Sequence, residues 1–174
     1  MNGAARPCPT LSTSRLVLRP HTSADFESCL ALWSDPEVMR HMGGRPFTPE
    51  EVWRRMLAYA GLWATIGYGY WVIEDAASRR YVGEAGLADF HRPFAFDFAP
   101  EAGWMLAPAT QGKGMAYEAM TAILEWAEAE LPYRRSVCMI DPENGPSLRL
   151  AARLGYRPTG RAHYGERDLV LHER

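Results

Sequence analysis

Gln111-Gly112-Lys113-Gly114-Met115-Ala116 joins an apolar run to the longest amphipathic pattern in the chain, and no other stretch restricts the fold as much. The run before it, residues 102–107, reads as a buried strand ended by Pro108. After it, Ala116, Ala119, Met120, Ile123, Ala127 and Leu131 recur at helical steps, with Glu118, Thr121, Glu125 and Glu128 on the other side. Glycines at 112 and 114 let a ligand approach the backbone, and the first N–H groups of a helix have no intrahelical partners. Those donors and the positive helix end suit a pyrophosphate, so strand, turn and helix together read as a phosphate cradle.

Three familiar cradles do not fit. A Walker loop needs Ser or Thr after the lysine, and Gly114 follows Lys113. A dinucleotide fingerprint needs a third glycine, where Tyr117 stands, and an early position in the chain. A kinase loop needs His-Arg-Asp and Asp-Phe-Gly downstream, and neither occurs.

At 174 residues the chain is expected to form one domain with a real core. With 19 basic and 21 acidic residues its formal charge is −2, which gives no sign of a nucleic-acid partner. Cys8, Cys29 and Cys138 are odd in number and far apart, a pattern that predicts inert thiols, no metal and a reducing compartment. No apolar run reaches membrane-spanning length and no signal-peptide core is present, so the expected location is the cytoplasm, without a membrane partner.

In chain order, residues 1–14 read as a flexible lead-in and 15–174 as the folded domain. Residues 15–20 alternate apolar and basic, as an edge strand does. Thr22 or Ser23 can cap a helix over 24–34, and Asp35-Pro36 breaks it before a loop over 37–45. Thr48-Pro49-Glu50-Glu51 predicts a helix start, running to about residue 64. Residues 68–74 and 81–90 read as a hairpin, and Phe94, Phe96 and Phe98 alternate in an irregular stretch that could line a pocket or the core. A strand over 136–140, a short helix bracketed by Pro146 and Gly155, and strands near 157–163 and 168–172 complete the chain.

Three widely spaced motifs now coincide. Gln111, Gly114 and Ala116 match the acyl-CoA loop of the GCN5-related N-acetyltransferases (GNAT), which runs Gln or Arg, two residues, Gly, one residue, Gly or Ala. Thr13, Arg15, Leu16, Leu18 and Arg19 match an opening strand common among them. Asn144, Ser147 and Gly155-Tyr156 match the Asn, small residue and Gly-aromatic pair that follow the CoA helix. The chain therefore resembles this superfamily over residues 15–171, nearest its RimJ/RimL type.

That resemblance implies an α+β, three-layer acyl-CoA N-acyltransferase fold. Its mixed, twisted sheet of about seven strands is flanked by helices and splayed between strands four and five, strand four being residues 102–106. It implies acetyl-CoA as acetyl donor, held by backbone groups of Trp104, Met105 and Leu106, the turn Gln111, Gly112, Lys113, Gly114, Met115 and Ala116, and Asn144, Ser147 and Arg153. A primary amine would attack directly through a tetrahedral intermediate, with an N–H of strand four on the oxyanion. Glu101 and Glu84 are candidate bases, with His91 behind them. Many relatives place a tyrosine seven residues after the Asn, but Ala151 stands there, which leaves Ser147 as candidate proton donor to the thiolate.

The acceptor stays open between a protein N-terminus and a small amine, although Trp63, Tyr68, Tyr70, Trp71, Phe94 and Phe96 favour a partly apolar pocket. The loop over 37–45 would form one wall of it. A homodimer is expected from the resemblance. A non-catalytic acyl-CoA sensor is the alternative function.

Overall fold

The computed structural model describes residues 5–92 and 99–174; the Phe94, Phe96 and Phe98 stripe lies outside the described residues. Among the described residues eight strands form one sheet in the order β1 (Leu11–Ser12), β2 (Leu16–Arg19), β3 (Tyr70–Asp75), β4 (Tyr81–Ala88), β5 (Glu101–Leu106), β6 (Val137–Ile140), β8 (Arg167–Glu173) and β7 (Arg157–Tyr164). All neighbours are antiparallel except β5 and β6. The expected strand four is β5, because Leu11–Ser12 adds a short strand ahead of it.

Helices cover both faces. Along β4 the alternation sends Ala85 and Leu87 to one side, where they join a core with Ala119, Met120 and Ile123 of α4 (Met115–Glu130). It sends Glu84 to the other side, under α1 (Phe26–Ser34), where the Trp33 indole N–H reaches it. There α1, the four-residue α2 (Pro36–Met39) and α3 (Pro49–Ile66) build a second core from Cys29, Leu32, Trp33, Val52 and Met56.

The start of α3 follows its residues. The Thr48 hydroxyl accepts from the Glu51 N–H at 3.3 Å, the Glu51 carboxylate accepts from the Thr48 N–H at 2.9 Å, and Pro49 sits at the first position. Gly67, at φ +77°, ends the helix in the left-handed conformation glycine adopts freely.

Two expectations change. Residues 5–14 are docked rather than loose. The Trp71 indole donates to the Pro9 carbonyl at 2.8 Å, the Arg6 N–H bonds the Trp63 carbonyl, and β1 pairs with β2. A lead-in rich in small residues gives no periodic signal of such docking. Part of the 37–45 loop is α2, because the Asp35 carboxylate caps the N–H groups of Glu37 and Val38 and Pro36 occupies the first turn.

Candidate active site

The sheet opens at one place. β5 pairs with β4 through six residues, Glu101 to Leu106, but meets β6 only at Glu101 opposite Val137. Beyond that point β6 is committed to β8, pairing from Val137–Glu173 to Ile140–Val170. Among the described residues, the edge of β5 from Ala102 to Leu106 that faces β6 thus has no strand beside it, and such an edge can take an extended ligand as a further strand. Trp104, Met105 and Leu106 lie on it; the Leu106 carbonyl accepts from the Gln111 side-chain amide at 2.9 Å, which ties the turn to the strand.

The turn ends beside this edge. Gly112 and Gly114 have φ +72° and +76°, conformations that L side chains avoid, and a Cβ at Gly112 would meet nothing within 4 Å. Gly114 is the N-cap of α4 and offers no side chain to the first N–H groups of Met115, Ala116 and the residues after them. A 16-residue helix therefore presents bare donors and its positive end at the mouth of the gap. The Lys113 ammonium folds back onto the Ala109 carbonyl at 2.7 Å. This cradle and the open edge fit a diphosphate joined to a flexible amide arm.

Across the gap stands α5 (Gly145–Arg153). The Asn144 carbonyl oxygen caps it by accepting from the Ser147 N–H at 3.1 Å, and the Ser147 hydroxyl accepts from the Trp104 indole at 3.3 Å. The Trp104–Ser147 bond spans the two sides of the opening. Arg153 stacks its guanidinium 3.7 Å from the Tyr117 ring centroid, so it braces α5 against α4.

The candidate bases are placed very differently. Glu101 lies where β5 and β6 last touch, buried, and accepts both Nε and Nη2 of Arg92 at 2.7 and 2.9 Å. Glu84 is 1% exposed, and its oxygens accept from the Trp33 indole at 2.6 Å and the Tyr81 hydroxyl at 3.3 Å, with His21 Nε2 at 3.1 Å. Burial raises the Glu84 pKa, but the His21 and Trp33 hydrogen bonds and the Arg55 charge outweigh it and hold the carboxyl below its ordinary range. His21, Cys29 and Glu84 carry metal-capable atoms within 4.8 Å of one another, and hydrogen bonds among them account for the cluster. His91 is exposed beside Asp89.

Three contacts carry no sequence signal, although Tyr70, Arg15 and Glu118 each stand in a pattern read above. Arg92 becomes visible only as the partner of Glu101. The Tyr70 hydroxyl occupies the space a side chain at Gly103 would need, bringing a phenol over β5 next to Trp104. The Arg15–Glu118 pair, which also grips the Lys113 carbonyl, joins residues 103 apart. Among the described residues no helix is long and apolar enough to cross a membrane, and all three cysteines are free thiols, with burial raising each pKa.

Comparison with known proteins agrees with this geometry. The family model "Acetyltransferase (GNAT) domain" matches residues 15–157. A curated relative in Bacillus licheniformis, the uncharacterised N-acetyltransferase p20, is 29% identical over 152 residues, covering 87% of this chain and 84% of its own. A Bordetella pertussis structure assigned to the GnaT family is 36% identical, with a TM-score of 0.84 over 95% of this chain and 99% of that one. A Vibrio cholerae spermidine N-acetyltransferase, solved with CoA and spermine, shares the fold at 20% identity and TM-score 0.74, over 93% and 96% of the two chains. The opening between β5 and β6, the glycine turn at its mouth and these matches together place the chain in the GNAT family of acetyltransferases, as an acyltransferase enzyme.

Proposed function

We propose that the protein transfers the acetyl group of acetyl-CoA to a primary amine, and that it is of the RimJ/RimL type. The observation that carries this reading is the unpaired edge of β5 running from Glu101 towards a glycine turn that exposes the bare N-terminus of α4. The RimJ/RimL assignment rests on Thr13, Arg15, Leu16, Leu18 and Arg19, and on Ser147 and Ala151 three and seven residues after Asn144.

Acetyl-CoA supplies an activated acyl thioester with a thiol leaving group. The N–H groups of the turn and of α4 receive its diphosphate, and Trp104, Met105 and Leu106 offer main-chain groups to its amide arm. One β5 N–H donates to the oxygen on which charge grows. Glu101 accepts the ammonium proton, directly or through water, and Arg92 holds the carboxylate in place. Ser147, fixed by its N–H to Asn144 and by the Trp104 indole, donates a proton to the sulfur as the C–S bond breaks and is reprotonated by the proton that the newly acylated nitrogen loses. Glu84, enclosed by its own donors, supports α1 and takes no part in proton transfer.

The acceptor side favours a small amine over a protein N-terminus. A cavity of about 490 Å³ beside α3 is lined by His21, Tyr59, Trp63 and Tyr70 among others, a size and lining suited to a small ligand, and Tyr70 of β3 links it to β5 by placing its hydroxyl over Gly103. An alkyl amine with a lysine-like reference pKa of about 10.4 needs more help from a base than an α-amine at about 7.7–8.0, and Glu101 is placed to give it. The three free thiols support a reducing cytoplasm. A homodimer without nucleic-acid or membrane partners completes the reading.

The test is free-thiol release from acetyl-CoA over a panel of spermidine, an aminoglycoside and short peptides with free N-termini. Amine-dependent release, strongest with a small amine, is the expected result. CoA binding with no release above background for any amine would favour the sensor alternative.

A further inference from the structure

Glu118 lies in the first turn of α4, a place where a carboxylate stabilises the bare helix but would repel a phosphate bound there. The structure surrounds it. Its Oε1 accepts from the Thr13 hydroxyl at 2.5 Å, the Ser14 hydroxyl at 3.1 Å and the Arg15 N–H at 3.0 Å, while its Oε2 takes Arg15 Nε and Nη2, both at 2.7 Å. Burial raises the Glu118 pKa, but the bonds from Thr13, Arg15 and Ser14 bring it down to about 2.

The same guanidinium reaches the glycine turn. Arg15 Nη1 donates to the Lys113 carbonyl at 3.0 Å. In a planar trans peptide the carbonyl and the N–H point in opposite directions, so fastening Lys113 C=O towards Arg15 aims the Gly114 N–H away from it. Gly114 follows the fastened carbonyl at φ +76°, a backbone conformation that L side chains rarely adopt. Two elements remote in sequence thereby fix one peptide orientation of the cradle.

We propose that Thr13, Ser14, Arg15 and Glu118 are positioning residues that preset the glycine turn for the diphosphate of the acyl donor, without touching the ligand themselves. The proposal rests on the acyl-CoA reading above. It makes the opening Thr-Ser-Arg part of the donor site by way of Glu118, with Glu118 neutralised and the turn organised before the ligand arrives.

Two donors separate this from a general structural role: acetyl-CoA, and S-acetyl-pantetheine, which lacks the nucleotide and its diphosphate. Arg15→Ala and Glu118→Ala should each raise KM for acetyl-CoA about tenfold, worth about 1.4 kcal/mol. Both should leave kcat within about twofold and kcat/KM for S-acetyl-pantetheine unchanged, and the double variant should be no worse than either. Ser14→Ala, which removes a single donor, should move the same KM about twofold and serves if the larger changes prevent folding. Equal losses with both donors would overturn the proposal. So would a raised KM in Arg15→Ala with none in Glu118→Ala, which would mean that Arg15 contacts the phosphates directly. A wild-type protein with no preference for acetyl-CoA over S-acetyl-pantetheine would refute the acyl-CoA reading itself, and the proposal with it.

Discussion

Glu101 and Glu84 are both buried carboxylates on adjacent strands, and their partners give them different work. Glu101 is held by Arg92 at the point where the sheet opens; Glu84 is enclosed beneath α1 by Trp33, His21 and Tyr81. Glu101→Gln should lower kcat of the folded protein about a hundredfold, the usual loss when a general base is removed, and lower the thermal midpoint by a few degrees because Arg92 loses its charged partner. Glu84→Gln places an amide among hydrogen-bond donors and should cost about 2 kcal/mol in denaturant unfolding, while the folded fraction keeps its kcat. Ser147→Ala should reduce kcat by ten- to a hundredfold, a larger effect than the few-fold loss of acetyl-CoA affinity expected in calorimetry from removing its hydroxyl from the donor site. Glu118 adds a pH signature. Its folded pKa of about 2 lies below the ordinary 4.5, so the clasp's contribution is complete above pH 4.5 and is lost as pH falls towards 2. The stability gap between wild type and Glu118→Ala should narrow over that window in unfolding curves.

At the scale of elements, the cap residues and glycines are legible because each acts within a few residues of its own position. Thr48→Ala breaks the capping box of α3 and should cost about 1 kcal/mol, a fall of a few degrees in the thermal midpoint. The start of α4, the Asn144 cap and the helix bracketed by Pro146 and Gly155 are readable for the same reason. Contacts that depend on distant chain are not readable. The Arg15–Glu118 clasp, the Tyr70 hydroxyl over Gly103 and the docking of residues 5–14 on Trp63 and Trp71 have no local period or spacing to betray them. Glu84 and Glu101 look alike in sequence for that reason, since what separates them is which helix or arginine lies above.

Across the whole molecule, one topological choice makes the site. β6 gives its pairing to β8 and leaves β5 after a single shared position, and the final hairpin fills the order β6, β8, β7 that composition and periodicity alone leave open. The opening follows from that commitment and from α4 and α5 standing on its two sides. The most direct test is amide hydrogen exchange with and without acetyl-CoA. Protection is predicted along Ala102 to Leu106 and from Gln111 through the first turn of α4, with little change in β2 and β3. Protection confined to the cavity beside Tyr70, or none at all under saturating acetyl-CoA, would contradict the assignment of the β5 edge as the donor site.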